Sequence, residues 1–158
     1  MKHTLCVLVE NKFGVLARVA GLFSARGFNI NSLAVGETHD PSVSRMTIVV
    51  EASDVRILEQ IIKQLRKLID TISVLDLTKK DFVERELALI KVGYLKASQK
   101  EINALLKKHK DITRLVRHSR TEAIIEVCAP SGQVNEFLLS LKPYRIQELM
   151  RTGKVAVI

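Results

Sequence analysis

The sequence contains few of the residues that mark secreted, membrane-spanning or low-complexity proteins. Its 158 residues include two cysteines, three prolines and no tryptophan, and aromatic residues make up 4%. No apolar run approaches the roughly 18 residues of a membrane-spanning helix, and the N-terminus leads into a strand-like run rather than a secretory signal. Cys6 and Cys128 both fall in strand-like runs and are predicted to be buried, reduced thiols. We therefore expect an ordered cytoplasmic protein without disulfides.

The sequence also lacks the patterns that identify many enzymes. It has no phosphate-binding loop, no glycine-rich dinucleotide motif, no HExxH motif and no CxxC pair. Its four histidines have no spacing typical of metal ligands. Glu84 and Glu86 share one side of a strand end, where solvated carboxylates are the expected interpretation. We therefore predict no catalytic residue and no metal site in this chain.

The chain instead contains one order of strands and helices twice. In residues 1–78, apolar and β-branched runs alternate with amphipathic helical patterns in the order βαββαβ. Residues 79–158 repeat that order with little sequence identity. Ser53 or Asp54 is predicted to begin the second helix, and Ser98 is predicted to begin the third in a capping box. The pattern predicts an α+β fold of two tandem ferredoxin-like βαββαβ domains, divided near residues 78–81.

Two strands of the first half, residues 5–9 and 46–50, are apolar on both faces of the predicted sheet. An antiparallel sheet with one solvated face would alternate apolar and polar residues. Domains of about 80 residues or fewer also bury only about 60% of the surface of the unfolded chain. We therefore predict that the other half of the chain or a second copy covers this face, and we favour self-association.

The stretch from residue 10 to 32 is the most informative part of the chain. A polar pair ends the first strand, Gly14 permits a tight turn, and a helical pattern begins at Val15. The first turn of a helix has unpaired N–H groups and a partial positive charge, which suit a small carboxylate. Asn11 and Asn29 add amide groups for the remaining polar atoms of an amino acid. The alternative is purely structural: Asn11 caps the helix, and Asn29 tolerates the next turn.

The second half carries most of the positive charge. Residues 1–77 have a net charge of +1 and residues 78–158 a net charge of +7, which together give the +8 of the chain. The excess is concentrated in residues 107–120. Such a patch can bind phosphates through counterion release, but the strands lack stacking aromatic rings and no nucleic-acid-binding module is evident. We favour a solvated face or a dock for an acidic partner subunit over nucleic acid.

Several motifs resemble those of a known family. The first half contains Glu10-Asn11, Gly14-Val15-Leu16-Ala17-Arg18-Val19, Arg26-Gly27, Asn29-Ile30 and Ser44-Arg45-Met46-Thr47-Ile48. The second half contains Arg85-Glu86-Leu87, Leu141-Lys142-Pro143-Tyr144 and Arg151-Thr152-Gly153-Lys154-Val155-Ala156. The first set resembles an ACT domain. Both sets together, which cover nearly the whole chain, resemble the small, regulatory subunit of acetolactate synthase (acetohydroxyacid synthase).

The resemblance implies a regulatory subunit of a transferase, without a catalytic centre or cofactor of its own. Members of this family pair with a catalytic subunit that condenses pyruvate, or pyruvate and 2-oxobutyrate, and on which thiamine diphosphate, Mg and FAD are expected. They raise its activity and confer feedback inhibition by a branched-chain amino acid, most often valine, bound between two ACT domains of a homodimer. Carried onto this chain, the effector site comprises Asn11, Gly14 and Val15 of one copy and Asn29 and Ile30 of the other.

The chain departs from the family pattern at two places. Phe13 stands where the family usually has proline, which removes a restraint on φ and adds a bulky ring. Residues 107–114 fit the family pattern poorly. The alternative function is a stand-alone ACT-type amino-acid sensor whose basic second domain binds nucleic acid.

Overall fold

The protein folds into the βαββαβ order twice, followed by a short C-terminal strand. The computed structural model describes residues 1–52, 54–78, 80–93 and 99–158. The first half comprises β1 (Lys2–Glu10), α1 (Val15–Ser24), β2 (Ile30–Glu37), β3 (Val43–Glu51), α2 (Val55–Leu65) and β4 (Thr71–Asp76). The second comprises β5 (Val83–Gly93), α3 (Gln99–Lys108), β6 (Thr113–His118), β7 (Glu122–Ala129), α4 (Ser131–Ser140), β8 (Arg145–Arg151) and β9 (Val155–Val157). The predicted α+β fold with two βαββαβ halves is confirmed.

The chain divides into two compact units. One comprises Met1–Val83 together with the C-terminal residues Lys154–Ile158, and the other comprises Glu84–Gly153. Compactness does not by itself identify independently folding domains, so the domains at 1–78 and 79–158 stay a prediction. None of the helices in the described ranges is long and apolar enough to cross a membrane.

The first unit has an antiparallel sheet in the order β2-β3-β1-β4. Alternate residues of β1 and β3 form a core with α1 and α2, which includes Leu5, Val7, Val9, Met46, Ile48, Val50, Val15, Val19, Leu22, Phe23, Leu58, Ile61 and Leu65. Burying each large aliphatic or aromatic side chain stabilises the fold by about 1.5–3 kcal/mol. The start of α2 follows local chemistry, because Asp54 accepts the Arg56 N–H at 2.6 Å and caps this helix. Ser53 and Ser98, the other predicted starts, lie outside the described residues.

The second face of this sheet is covered in part by the chain itself. Cys6 alternates with core residues of β1, so it lies on the opposite face, where it packs with Leu77 and Ala156. Phe82 contacts the same cluster. Arg45 Nη2 donates a hydrogen bond to the carbonyl oxygen of Ala156 at 2.8 Å. The apolar character of both faces therefore does not in itself require a second copy, and self-association needs separate support.

The second unit has an antiparallel sheet in the order β6-β7-β5-β8. Its core combines alternate residues of β5 and β7 with the inner faces of α3 and α4, namely Ala88, Ile90, Val92, Ala123, Ile125, Val127, Ala129, Ile102, Val134, Phe137 and Leu141. The His109 ring packs edge-on against Phe137, with ring centroids 5.3 Å apart. The helices therefore cover one face of this sheet.

The prediction that both cysteines are buried is half wrong. Cys6 is buried, and burial raises the pKa of its thiol. Cys128 is exposed. Its neighbours in β7, Val127 and Ala129, belong to the core, so Cys128 lies on the sheet face that the helices do not cover. The apolar run was a correct indicator of a strand, but it did not reveal which face of that strand would be buried.

Candidate functional site

The turn between β1 and α1 has the backbone geometry that the effector site requires. Gly14 has φ 79° and ψ −4°, a left-handed conformation that favours glycine. It immediately precedes α1, and its carbonyl oxygen accepts the Arg18 N–H at 3.0 Å. As glycine has no side chain to cap the helix, the N–H groups of Leu16 and Ala17 have no hydrogen-bond partner among the described residues. Val15 is buried in the core and anchors this turn.

Asn11 does not cap α1, so the interpretation of this residue as a helix cap is wrong. Its backbone N–H donates to the Ser42 carbonyl oxygen at 2.7 Å. Its side-chain Nδ2 donates to Glu37 Oε1 at 3.0 Å and to the Pro41 carbonyl oxygen at 2.9 Å. Asn11 thus ties the end of β1 to the β2–β3 hairpin and keeps its side-chain carbonyl oxygen as a hydrogen-bond acceptor.

The hairpin that receives Asn11 is itself held by local hydrogen bonds. Asp40 Oδ1 accepts the Ser42 hydroxyl at 2.7 Å and the Ser42 N–H at 2.9 Å. The Asp40 N–H donates to Thr38 Oγ1 at 3.1 Å. The hydrogen bonds from the hydroxyl and the N–H of Ser42 hold the pKa of Asp40 below its ordinary value. The carbonyl groups of residues 41 and 42 are therefore presented to Asn11 in fixed positions.

Arg18 brings a positive charge to the same turn. Its Nε donates to Asp70 Oδ2 at 2.7 Å, and the Asp70 carboxylate is largely buried. Arg18 Nη1 lies 3.1 Å from the position that a Cβ on Gly14 would occupy. The site residues inferred from the sequence included neither Arg18 nor Glu37. The spacing of four residues from Gly14 along a helix could have identified Arg18, whereas no local pattern connects Glu37 to Asn11.

Asn29 and Ile30 lie at the other end of the sheet. Ile30 pairs with Val50 of β3, and Val50 pairs with His3 near the start of β1. Asn11, in contrast, directly follows the last residue of β1. At a rise of about 3.3 Å per residue, the two ends of β1 are roughly 25 Å apart. Within one chain, Asn29 and Ile30 are therefore not brought together with the residues of the β1–α1 turn.

Three apolar side chains, one in this turn, one on α1 and one on β2, are exposed. Phe13, in the position where the family usually has proline, is 102% exposed, so its ring does not cover Gly14. Leu16 on α1 and Val35 on β2 are 47% and 45% exposed.

The basic segment 107–120 of the second unit has exposed cationic side chains. Its six cationic side chains are those of Lys107, Lys108, Lys110, Arg114, Arg117 and Arg120. None of them makes an ion pair within the described ranges. A cleft of about 390 Å³ beside them has carboxylate as well as cationic side chains in its lining. The same ranges contain no group of three or more His, Cys, Asp or Glu that could hold a metal ion. For residues 107–120, the preference for a solvated face or an acidic partner over nucleic acid stays a prediction.

Comparison with known proteins confirms the family resemblance in both halves of the chain. Residues 5–73 match the family model of the AHAS small subunit-like ACT domain, and residues 85–158 match that of the small subunit of acetolactate synthase. The probable acetolactate synthase small subunit of Archaeoglobus fulgidus is 52% identical over 158 residues, which are 100% of this chain and 97% of that protein. The acetolactate synthase small subunit of Bacillus subtilis is 40% identical over 156 residues, which are 99% of this chain and 90% of that protein.

A solved structure agrees with this assignment. The crystal structure of the acetolactate synthase small subunit from Thermotoga maritima matches with a TM-score of 0.88 and 38% sequence identity, over 99% of this chain and 96% of that chain. The structural likeness therefore spans both βαββαβ halves. This chain belongs to the acetolactate synthase small-subunit family, the regulatory subunits of that enzyme, and its first half is an ACT domain.

Proposed function

We propose that this chain binds the thiamine-diphosphate-dependent catalytic subunit of acetolactate synthase in the cytoplasm, raises its activity and makes it sensitive to a branched-chain amino acid, with valine as the first candidate. Family membership supports the partner enzyme, on which we expect thiamine diphosphate, Mg and FAD. The observation that supports effector binding is the β1–α1 turn, where an uncapped helix start and a left-handed Gly14 meet a fixed Asn11.

The groups at this turn match the polar atoms of a free amino acid. The N–H groups of Leu16 and Ala17 offer donors and the positive potential of the helix start to a carboxylate, and the Nη groups of Arg18, whose Nε binds Asp70, offer further donors. The side-chain oxygen of Asn11 offers an acceptor to an ammonium group. A feedback effector binds near metabolite concentrations, so we expect a Kd of about 0.1–1 mM, or roughly −4 to −5.5 kcal/mol.

We propose that a second copy completes the site. β2 is an edge strand of the first sheet, and it contains no Lys, Arg or Pro that would block pairing with another strand. Antiparallel pairing of two β2 strands about a two-fold axis brings the Ile30 end of one copy beside the Glu37 end of the other. Since Glu37 contacts Asn11, this pairing would bring Asn29 and Ile30 of one copy close to the β1–α1 turn of the other. A single chain keeps these residues apart. It also gives the exposed Val35 a partner surface.

The function is tested with the chain reconstituted with its catalytic subunit. We expect higher acetolactate synthase activity than with the catalytic subunit alone, and saturable inhibition by valine, leucine or isoleucine but not by serine or phenylalanine. Isothermal titration of the same amino acids into the complex measures binding directly. Activity and inhibition that do not depend on this chain would contradict the proposal.

Asn29→Ala is expected to weaken binding of the branched-chain amino acid about 3- to 10-fold, because one or two hydrogen bonds across the homodimer are lost. Asn29 is exposed, and its side chain makes no hydrogen bond within the described part of its own chain. The thermal unfolding temperature should therefore match that of the parent protein. An unaltered Kd by isothermal titration would mean that the cross-dimer site is misplaced.

A further inference from the structure

We propose that Glu37 makes the effector site selective for ligands that carry an ammonium group, so that it binds a branched-chain amino acid in preference to the 2-oxo acid with the same carbon skeleton. This inference rests on the proposed function. It assigns a role to a residue outside the motifs that carry the family resemblance.

Two hydrogen-bond acceptors fix the orientation of the Asn11 side chain. Its amide nitrogen has two hydrogens, and both are used: one by Glu37 Oε1 at 3.0 Å and one by the Pro41 carbonyl oxygen at 2.9 Å. A carboxylate and a backbone carbonyl can only accept hydrogen bonds. A flipped amide would turn its oxygen towards both acceptors, so the chemistry of the partners permits only the observed orientation. Asn11 therefore presents its oxygen, and no N–H donor, to a ligand.

The carboxylate of Glu37 lies beside the Asn11 side chain. Glu37 makes no ion pair in the described ranges, whereas the neighbouring Glu10 is paired with Lys12 at 2.8 Å. The carboxylate of Glu37 therefore has no cationic partner in these ranges, and its one side-chain hydrogen bond there is to Asn11. An uncompensated carboxylate next to a fixed acceptor oxygen suits an ammonium group and disfavours a ligand carbonyl, which brings only further acceptor oxygen.

The proposed site has positive potential at one end and negative potential at the other. The first N–H groups of α1 provide positive potential at the helix start, where the charge of Arg18 is paired with Asp70, and Glu37 provides negative potential at the end of β2. An amino acid carries both charges and can be bound at both ends. A 2-oxo acid carries the carboxylate alone, so it gains nothing from Glu37. The arrangement thus distinguishes two molecules that have identical apolar side chains.

Glu37→Gln tests the inference, because glutamine keeps an acceptor oxygen for Asn11 and removes the charge. We expect the affinity of the reconstituted complex for valine to fall about tenfold or more. The affinity for 3-methyl-2-oxobutanoate, the 2-oxo acid of the same skeleton, should stay constant or rise. Glu59→Gln, which removes the same charge from an exposed position on α2, is the matched control and should change neither value.

The outcomes separate the inference from the function on which it rests. If the parent complex binds no branched-chain amino acid, the proposed function fails and the inference fails with it. If the parent complex binds valine and Asn29→Ala weakens that binding, but Glu37→Gln keeps the parent's preference for valine over the oxo acid, only the role of Glu37 is overturned. If Glu37→Gln loses the preference for valine over the oxo acid and its unfolding temperature is unchanged, the proposed role of Glu37 is supported.

Discussion

Replacing Gly14 by aspartate is expected to abolish the response of the reconstituted enzyme to its branched-chain effector. The left-handed conformation of Gly14, with φ 79°, costs most L-residues roughly 1–2 kcal/mol, and aspartate and asparagine less. The added Cβ would lie 3.1 Å from Arg18 Nη1, so the new carboxylate would occupy the Nη donors proposed to serve the effector. It would also repel the effector's own carboxylate. Like-charge contacts of this kind cost several kcal/mol, so the inhibition constant should rise more than about 100-fold.

Gly14→Asn is the matched control for this result. Asparagine has nearly the size of aspartate and tolerates the left-handed conformation, but it carries no charge. We expect it to weaken inhibition about tenfold at most, with a similar unfolding temperature for both variants. Equal losses in the two variants would assign the effect to backbone strain. Inhibition of both variants at parent effector concentrations would place the effector site elsewhere in the molecule.

The strands and helices could be predicted because each depends on residues close together in the sequence. The apolar stripe of α1 follows from its helical spacing, and its end follows from Gly27, which has φ 67°. The Phe28 N–H donates to the Phe23 carbonyl oxygen at 3.0 Å, and the Gly27 N–H donates to the Ser24 carbonyl oxygen at 3.1 Å. These are the two bonds of a Schellman motif. The left-handed Gly14 was predictable for the same reason, since residue type and position alone indicate the turn.

The parts of the site that depend on strand pairing could not be predicted in this way. Asn11 lies 26 residues from Glu37 and 30 from Pro41 along the chain, and the β1–β3–β2 register brings them together. Local sequence left the role of Asn11 open between helix cap and ligand contact. The exposure of Cys128 has a similar cause, because it depends on which face of the second sheet the helices cover. The packing of Ala156 against Cys6 likewise joins opposite ends of the chain.

An ion pair connects two of the motifs that carry the family resemblance. Arg151 Nε and Nη2 donate to Glu86 Oε1 and Oε2, each at 2.7 Å, and Arg151 Nη1 donates to Asn135 Oδ1 at 3.0 Å. The Glu86 side chain is only 5% exposed, so the expectation that this carboxylate is solvated is wrong. The hydrogen bonds to Glu86 raise the pKa of Arg151. The two motifs therefore have a structural role in the second unit, where they join β8 to β5 and α4.

Arg151→Met is expected to lower the free energy of unfolding by about 3–5 kcal/mol. The variant removes two charge-assisted hydrogen bonds from a carboxylate that stays buried, and breaking one side of a buried ion pair has an effect of this size. Lys63→Met is the matched control, since it breaks the exposed Lys63–Glu59 pair at 4.0 Å and should change stability by about 0.5 kcal/mol or less. Urea unfolding of both variants measures the difference. Equal unfolding midpoints would show that the buried pair stabilises the second unit no more than a surface pair does.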